Sequence, residues 1–357
     1  MHRSVHLQRL LVWGLTGPIV ALNVWLLTQL FRFFEGLVTV LVMAAILAFL
    51  LNYPVRLFQR ATLSRVQAVT LVLVVTVALF VIAGVTLVPI IVDQTAQLLA
   101  KIPDWLQTSA RNLQALDLWA KQHNLPLDLQ GFSGRINNQI ERQLEVVAKE
   151  AVGVAVGTVN GLITTILVFV LAFYMLLYGN QLWNGLINLL PPRYGIPFRE
   201  SLWLNFHNFF ISQILLAAFM GLALIPVFLV LQVPFALLFA LLIGIAELIP
   251  LVGAALGIGV VTILLMLQNF WMGFWVAIAA TILQQVRDNV LGPKMLGDFT
   301  GLNPIWIFIA LLMGLQMAGF LGVIVAVPIA GTIKGTLEAV RSERLALKLK
   351  KAEEEII

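Results

Sequence analysis

Long apolar stretches alternate along this chain with short polar segments rich in arginine and lysine. A helix rises about 1.5 Å per residue, so about 20 apolar residues cross the roughly 30 Å hydrocarbon core of a bilayer. By that measure residues 11–31, 36–51, 66–92, 151–178, 209–231, 233–267, 271–286 and 303–333 predict membrane helices. The short alternating segments that mark barrel strands are missing from the pattern. The predicted fold class is an all-α integral membrane protein. The stretch 11–31 is too long for a signal-peptide core and lacks a small-x-small cleavage site, so it is expected to be retained.

Loop charge orients these spans, because short cytoplasmic loops collect Lys and Arg. Arg3 and Arg9 place the N-terminus inside; Arg56, Arg60 and Arg65 follow two crossings later, and Arg193 and Arg199 after two more. The segment 93–150 then lies outside, with six Lys or Arg against seven Asp or Glu. It predicts two amphipathic helices broken near "NLPLDLQGFSG", the second carrying the apolar stripe Ile136, Ile140, Leu144 and Val147. Such a stripe predicts packing on the first helix, on the membrane domain or on further copies of the chain.

Parity then singles out the stretches 233–267 and 303–333. A single crossing by either would export the positive segment behind it: Arg287 and Lys294 in the first case, and the tail with Lys334, Arg341, Arg344, Lys348, Lys350 and Lys351 in the second. A hairpin bent near Pro250 and another bent around "GLQMAG" keep both inside. The expected architecture is about six transmembrane helices plus two Gly/Pro-broken helical hairpins. Its divisions are 1–92, an external helical domain 93–150, a core transport domain 151–333 and a charged cytoplasmic tail 334–357. "VPFALLFALLIG" and "NPIWIFIALLMG" align at a spacing of 70 residues, matching Pro234 with Pro304 and Gly244 with Gly314. Hairpins opening to opposite faces are the inverted repeats from which secondary transporters build midplane sites.

Composition narrows the functional classes. Hydrophobic residues make up 61% of 357 positions and charged residues 11%, with a mean hydropathy of +0.98. The net charge of +5 is explained by topology and suggests no nucleic-acid partner. There is no cysteine, the four histidines are scattered, and metal-ligand spacings, phosphate-binding loops and hydrolase motifs are lacking. No enzyme, cofactor or metal is expected, and any transport is driven by a gradient or is facilitated.

Glu247 carries the sharpest chemistry, as the one Asp, Glu, Lys or Arg between Glu200 and Arg287. A carboxylate at bilayer depth costs about 2.5–3.5 kcal/mol on insertion scales and is normally paired, wetted or functional. Pro250 removes an amide donor and opens the backbone, which at that depth implies a protein- or water-lined cavity. Gly253 and Gly257 allow a second arm to approach the first closely. Glu247 is expected to bind a proton or cation, or else to pair with Arg287 or Lys294. In "QQVRDNVLGPKMLGD", Gln284, Arg287 and Asp288 share one face of a helix that Gly292 and Pro293 should end. Asn303 and Gln316, before and within the second hairpin, complete the candidate substrate or ion path. Gly153, Gly157 and Gly161 suggest a helix-packing stripe, and His207 an interfacial polar residue.

The segments "LAFLLNYPVRLFQR", "IPLVGAALG", "RDNVLGPKMLGD", "GLNPIWIFIALLMG" and "GFLGVIVAVPIAGTIK", in this order and spacing, resemble the autoinducer-2 exporter family of PerM-type permeases. The resemblance implies a bacterial inner-membrane protein with about eight membrane helices by the family's convention and a homo-oligomeric state, and loop charge places both termini in the cytoplasm. It implies export of a small polar solute, with Na⁺ or Li⁺ exchange for H⁺ in some relatives. Around the first hairpin the family often reads P-Y-V-G-P, and before the second G-L-H-P; here Leu251 and Ala254 flank Gly253, and Asn303 stands where His is common. The reading favoured is a secondary exporter of a small polar, autoinducer-2-like solute. A Na⁺(Li⁺)/H⁺ antiporter using Glu247, and a scaffold that holds partners through its external helices or basic tail, are the alternatives.

Overall fold

The computed structural model describes residues 22, 23, 26, 29, 33–123, 158–189, 191–296 and 302–354. Among them the regular elements are all helical: α1 (Glu35–Arg60), α2 (Arg65–Gln122), α3 (Thr158–Ile187), α4 (Pro192–Val230), α5 (Ala236–Ala246), α6 (Gly253–Gln268), α7 (Phe270–Val286), a π-helical turn (Arg287–Leu291), α8 (Gly292–Leu296) and α9 (Pro304–Glu354). The stripe Ile136, Ile140, Leu144 and Val147 and most of the span 11–31 lie outside the described residues.

Helices α1, α2 and α3 form one bundle, around Ala44, Val55, Ala68, Val69, Ala172 and Leu176. Its outer surface stays apolar, as at Val74 and Val85, which suits lipid rather than water. Arg65, at the start of α2, donates from Nη2 and Nε to the Leu176 carbonyl at 2.6 and 3.2 Å, tying α2 to α3.

Two sequence boundaries shift. Residue 93 marks no break, because α2 runs unbroken for 58 residues through Pro89 and Pro103. At about 1.5 Å per residue it is roughly 87 Å long, so much of it must emerge from any bilayer. Its emergent part packs Leu98, Ile102, Trp105 and Leu106 against Val233, Ala236 and Phe239. The predicted loop around Arg193 and Arg199 is instead the first turns of α4, where Pro191 and Pro192 occupy positions that need no amide hydrogen bond.

Helix α4 is the central element, buried along Asn205, Phe209, Ser212, Gln213, Leu216, Met220, Leu224 and Phe228. Against its later half lies the first hairpin. Helix α5 has 11 residues, about 16 Å, too short to cross hydrocarbon. The chain turns through Glu247–Val252, with Leu251 left-handed at φ 67°, and returns as α6. An added Cβ at Gly253 would sit 1.8 Å from the Ala246 carbonyl oxygen, and one at Gly257 would sit 3.0 Å from Ala246 Cβ, so both arms meet at backbone distance. Gly244 likewise lets α5 cross α4 at Gly221, where an added Cβ would come within 3.0 Å of the Gly221 Cα.

The second hairpin lies inside α9. Ala318 (φ −146°, ψ 27°) and Gly319 (φ 55°, ψ −137°) are non-helical, and the chain folds back there. Gly314 and Gly322 face each other so closely that an added Cβ on Gly322 would sit 1.9 Å from the Gly314 carbonyl oxygen. The returning arm continues as helix to Glu354, so the predicted tail prolongs a membrane arm rather than starting a separate segment.

Helix α4 also shows how the hairpins are disposed. The first starts at the end of α4, directly after Val230. The second meets the other end of α4 through its returning arm: added Cβ atoms on Gly331 and Gly335 would lie 2.2 Å from Asn205 Oδ1 and 2.9 Å from Ser201 Oγ. The two therefore open toward opposite ends of the molecule. Ile249 and Val252 of the first tip join the cluster of Phe209, Phe210, Leu311, Val323 and Val327, so that tip reaches the body of the second hairpin.

Candidate functional site

The first tip exists because its backbone cannot continue as α5. The Glu247 amide still closes the last turn onto Ile243 at 2.9 Å, Leu248 and Ile249 make tighter bonds to Ile245 and Ala246, and Val252 reaches Pro250 at 2.8 Å. The Glu247 carbonyl points out of the turn and accepts from Gln213 Nε2 of α4. A side-chain amide thus satisfies a carbonyl freed by the bend, as an apolar interior requires.

The Glu247 side chain is 1% exposed. Its Oε2 lies 3.2 Å from Nη2 of Arg287, whose own side chain is 13% exposed. Arg287 Nη1 donates to Asp288 Oδ1 at 2.7 Å, and Gln284 Nε2 reaches both Asp288 oxygens at 3.2–3.3 Å. Asp288 is the wet end of the cluster, with 45% of its side chain exposed. Glu247 Oε1, Arg287 Nε and Gln284 Oε1 are buried without a hydrogen-bond partner among the described residues. The cluster therefore runs from a half-exposed carboxylate to a buried one across a single guanidinium, with spare donor and acceptor capacity in its dry half.

Arg287 opens the π turn, a wider winding than the α-helix and one that often marks functional positions. Gly292 and Pro293 do not end the helix as the sequence suggests. The π turn leads without a break into α8, which contains Pro293.

Of the sequence-derived candidates, Glu247, Gln284, Arg287 and Asp288 form this one cluster, and Pro250, Gly253 and Gly257 shape the hairpin beneath it. Lys294 is exposed and takes no part in the pairing. Asn303 and Gln316 stand apart. The Asn303 side chain accepts from Ile305 N at 3.0 Å, capping α9, and Gln316 is exposed near the second bend. Gly161 has open space around it rather than a packing partner: an added Cβ would meet no atom within 4 Å. His207 is stacked between Trp203, at 4.7 Å, and Tyr53 of α1, at 5.2 Å.

Two participants were not singled out in the sequence. Gln213 is the only amide side chain in the apolar stretch 209–231, a signal available but outweighed by the run around it. Gln94 of α2 accepts from Leu238 N at 3.1 Å and so caps the start of α5. Beside it Lys101 Nζ lies 5.3 Å from the Phe235 ring centre and Trp105 packs on that ring at 6.4 Å, holding a residue whose φ is 57°.

A cavity of about 960 Å³ lies elsewhere, between the start of α1 and the two arms of α9. Its walls are apolar apart from Glu35, Thr39, Asn303, Lys334 and Glu338, and it contains no part of the Glu247 cluster. A greasy groove of this kind suits hydrocarbon.

Residues 16–342 match the AI-2E family transporter. The chain belongs to this family. It is 38% identical over 340 residues to sll0063 of Synechocystis sp., a protein named for transport, covering 94% of this chain and 86% of that one. Bacillus subtilis YueF, also named for transport, is 25% identical over 340 residues, covering 90% and 91%. Escherichia coli PerM, named a permease, is 27% identical over 317 residues, covering 86% and 88%. As a member of the AI-2E family the chain is a multi-pass membrane transporter, not an enzyme.

Proposed function

We propose that this transporter is a secondary exporter of a small polar, autoinducer-2-like solute, with its site at the first hairpin tip, between the two hairpins and α7. The observation that carries the reading is the buried Glu247–Arg287 pair on two interrupted helices, with Glu247 Oε1 and Arg287 Nε left to meet a hydrogen-bonding solute. A pair serving stability alone is weak value in a dry interior, where desolvation offsets much of the attraction. A scaffold needs no such pair at a helix break. The setting is a bacterial inner membrane with both termini cytoplasmic, in a homo-oligomer whose contacts include the 93–150 segment.

The same free carboxylate oxygen favours a second reading, Na⁺(Li⁺)/H⁺ antiport, in which Glu247 exchanges a proton for a cation while Arg287 turns to Asp288. Proteoliposomes with imposed H⁺ or Na⁺ gradients and a panel of small polar solutes separate the two. Solute flux that Glu247→Gln reduces sharply, in protein that inserts normally, supports export. Cation-for-proton exchange without solute flux, lost in the same variant, supports antiport. No gradient-sensitive flux of either kind leaves the scaffold.

A further inference from the structure

The buried face of α4 changes character part-way along the helix. From its start to Gln213 it carries Ser201, Asn205, Ser212 and Gln213, of which Asn205, Ser212 and Gln213 are 8%, 2% and 4% exposed. Beyond Gln213 the same face reads Leu216, Met220, Leu224 and Phe228, all fully buried. The positions 201, 205, 212 and 213 fall on one side of a helix, and 12 residues of rise separate the ends of the row by about 18 Å. Its inner neighbour is the returning arm of the second hairpin, where Gly331 and Gly335 lie bare against Asn205 and Ser201. Its upper end is the Gln213 amide on the Glu247 carbonyl. Phe209, 3% exposed, interrupts the row between Asn205 and Ser212.

Helix packing alone does not explain this. Association in a membrane gains only about 0.6 kcal/mol on average from a polar contact, and nothing in it requires the polar contacts to stop where the Glu247 cluster begins. We infer that the inner half of the transport path follows this face of α4, from Ser201 past Asn205 and Ser212 to Gln213 and Glu247, and that Phe209 is its closed gate. The glycines of the returning arm form the opposite wall, and a tilt of that arm away from α4 would uncover the polar row without breaking either hairpin. This route rests on the site proposed at Glu247 and adds the way to it from one side.

Site-directed thiol labelling tests it in the full chain, which has no cysteine of its own. Asn205→Cys, Ser212→Cys and, as reference, Leu224→Cys are reacted in membranes with a small cationic methanethiosulfonate applied from the inner face. Asn205→Cys and Ser212→Cys are expected to react about tenfold or more faster than Leu224→Cys, since only a residue that opens to water is modified readily. Phe209→Ala should speed Ser212→Cys further while leaving Asn205→Cys, below the gate, nearly unchanged. Equal slow rates at all three positions, unaffected by Phe209→Ala, would overturn the route. Ser212→Cys is nearly isosteric, so loss of fold cannot mimic that result. The labelling needs no substrate, so it is independent of the flux assay: fast labelling with normal transport by Glu247→Gln would keep the route and discard the site, and the reverse pattern would do the opposite.

Discussion

Glu247 Oε2 lies 3.2 Å from Arg287 Nη2, and the same guanidinium holds Asp288 Oδ1 at 2.7 Å through Nη1. Arg287 therefore has two carboxylates and Glu247 has one cation. The asymmetry makes the two partners unequal in what their removal does. Without Arg287, a carboxylate that is 1% exposed loses the one counter-ion it has among the described residues; without the Glu247 charge, Arg287 keeps Asp288 near water.

Arg287→Gln is accordingly expected to destabilise the protein by about 3–5 kcal/mol, the range for stranding one member of a buried pair. Glu247→Gln should lower stability much less, and Glu247→Gln combined with Arg287→Gln should recover most of the loss. Thermal unfolding of the detergent-purified protein measures all three. Equal losses in the two single variants would show that Asp288 does not serve as the second counter-ion.

The first hairpin should depend on Gly253 far more than on its neighbour Gly259. An added Cβ at Gly253 meets the Ala246 carbonyl oxygen at 1.8 Å, backbone on backbone, whereas one at Gly259 meets nothing within 4 Å. Gly253→Ala should force the arms apart and reduce yield and melting temperature. Gly259→Ala should be neutral or slightly stabilising, because alanine is the better helix former. Size-exclusion profiles and melting curves of the two variants side by side decide it; a well-folded Gly253→Ala with unchanged melting would contradict the close approach.

The Gln94 cap predicts a smaller effect from farther away. Gln94→Ala leaves the Leu238 amide without its acceptor at the start of α5, and losses of helix caps run to about 0.5–2 kcal/mol. Gln94→Glu restores an acceptor and should recover the stability. Hydrogen exchange at residues 236–239 should rise in Gln94→Ala and fall back in Gln94→Glu; no change in either would remove the emergent part of α2 from the support of the hairpin.

Opposite openings of the hairpins fix which ends can be reached. A cysteine replacing Asn269, in the turn between α6 and α7, should be labelled from outside by an impermeant reagent. One replacing Ser342, on the emergent part of α9, should be labelled from inside alone. Outside labelling of Ser342→Cys would mean that α9 crosses the membrane once despite its bend.

The hydropathy pattern by itself determined the helical membrane fold, and its breakers located both reversals, at Pro250 and within "GLQMAG". These are local properties: burial length, a missing amide and a glycine able to turn are written in a few consecutive residues. Glu247 was conspicuous for the same reason, as an isolated carboxylate in an apolar run. Only the tertiary structure decided what surrounds it. Arg287, at the end of α7, reaches it rather than the exposed Lys294 of α8, and Gln213 meets its carbonyl because α4 crosses beneath. The length of α2, the continuation of helix through Pro293 and the separation of Asn303 and Gln316 from the cluster were likewise settled in three dimensions. A helix ends or persists according to whether neighbours satisfy its backbone, and side chains meet according to how whole helices are rotated and inclined, quantities that no short stretch of sequence contains.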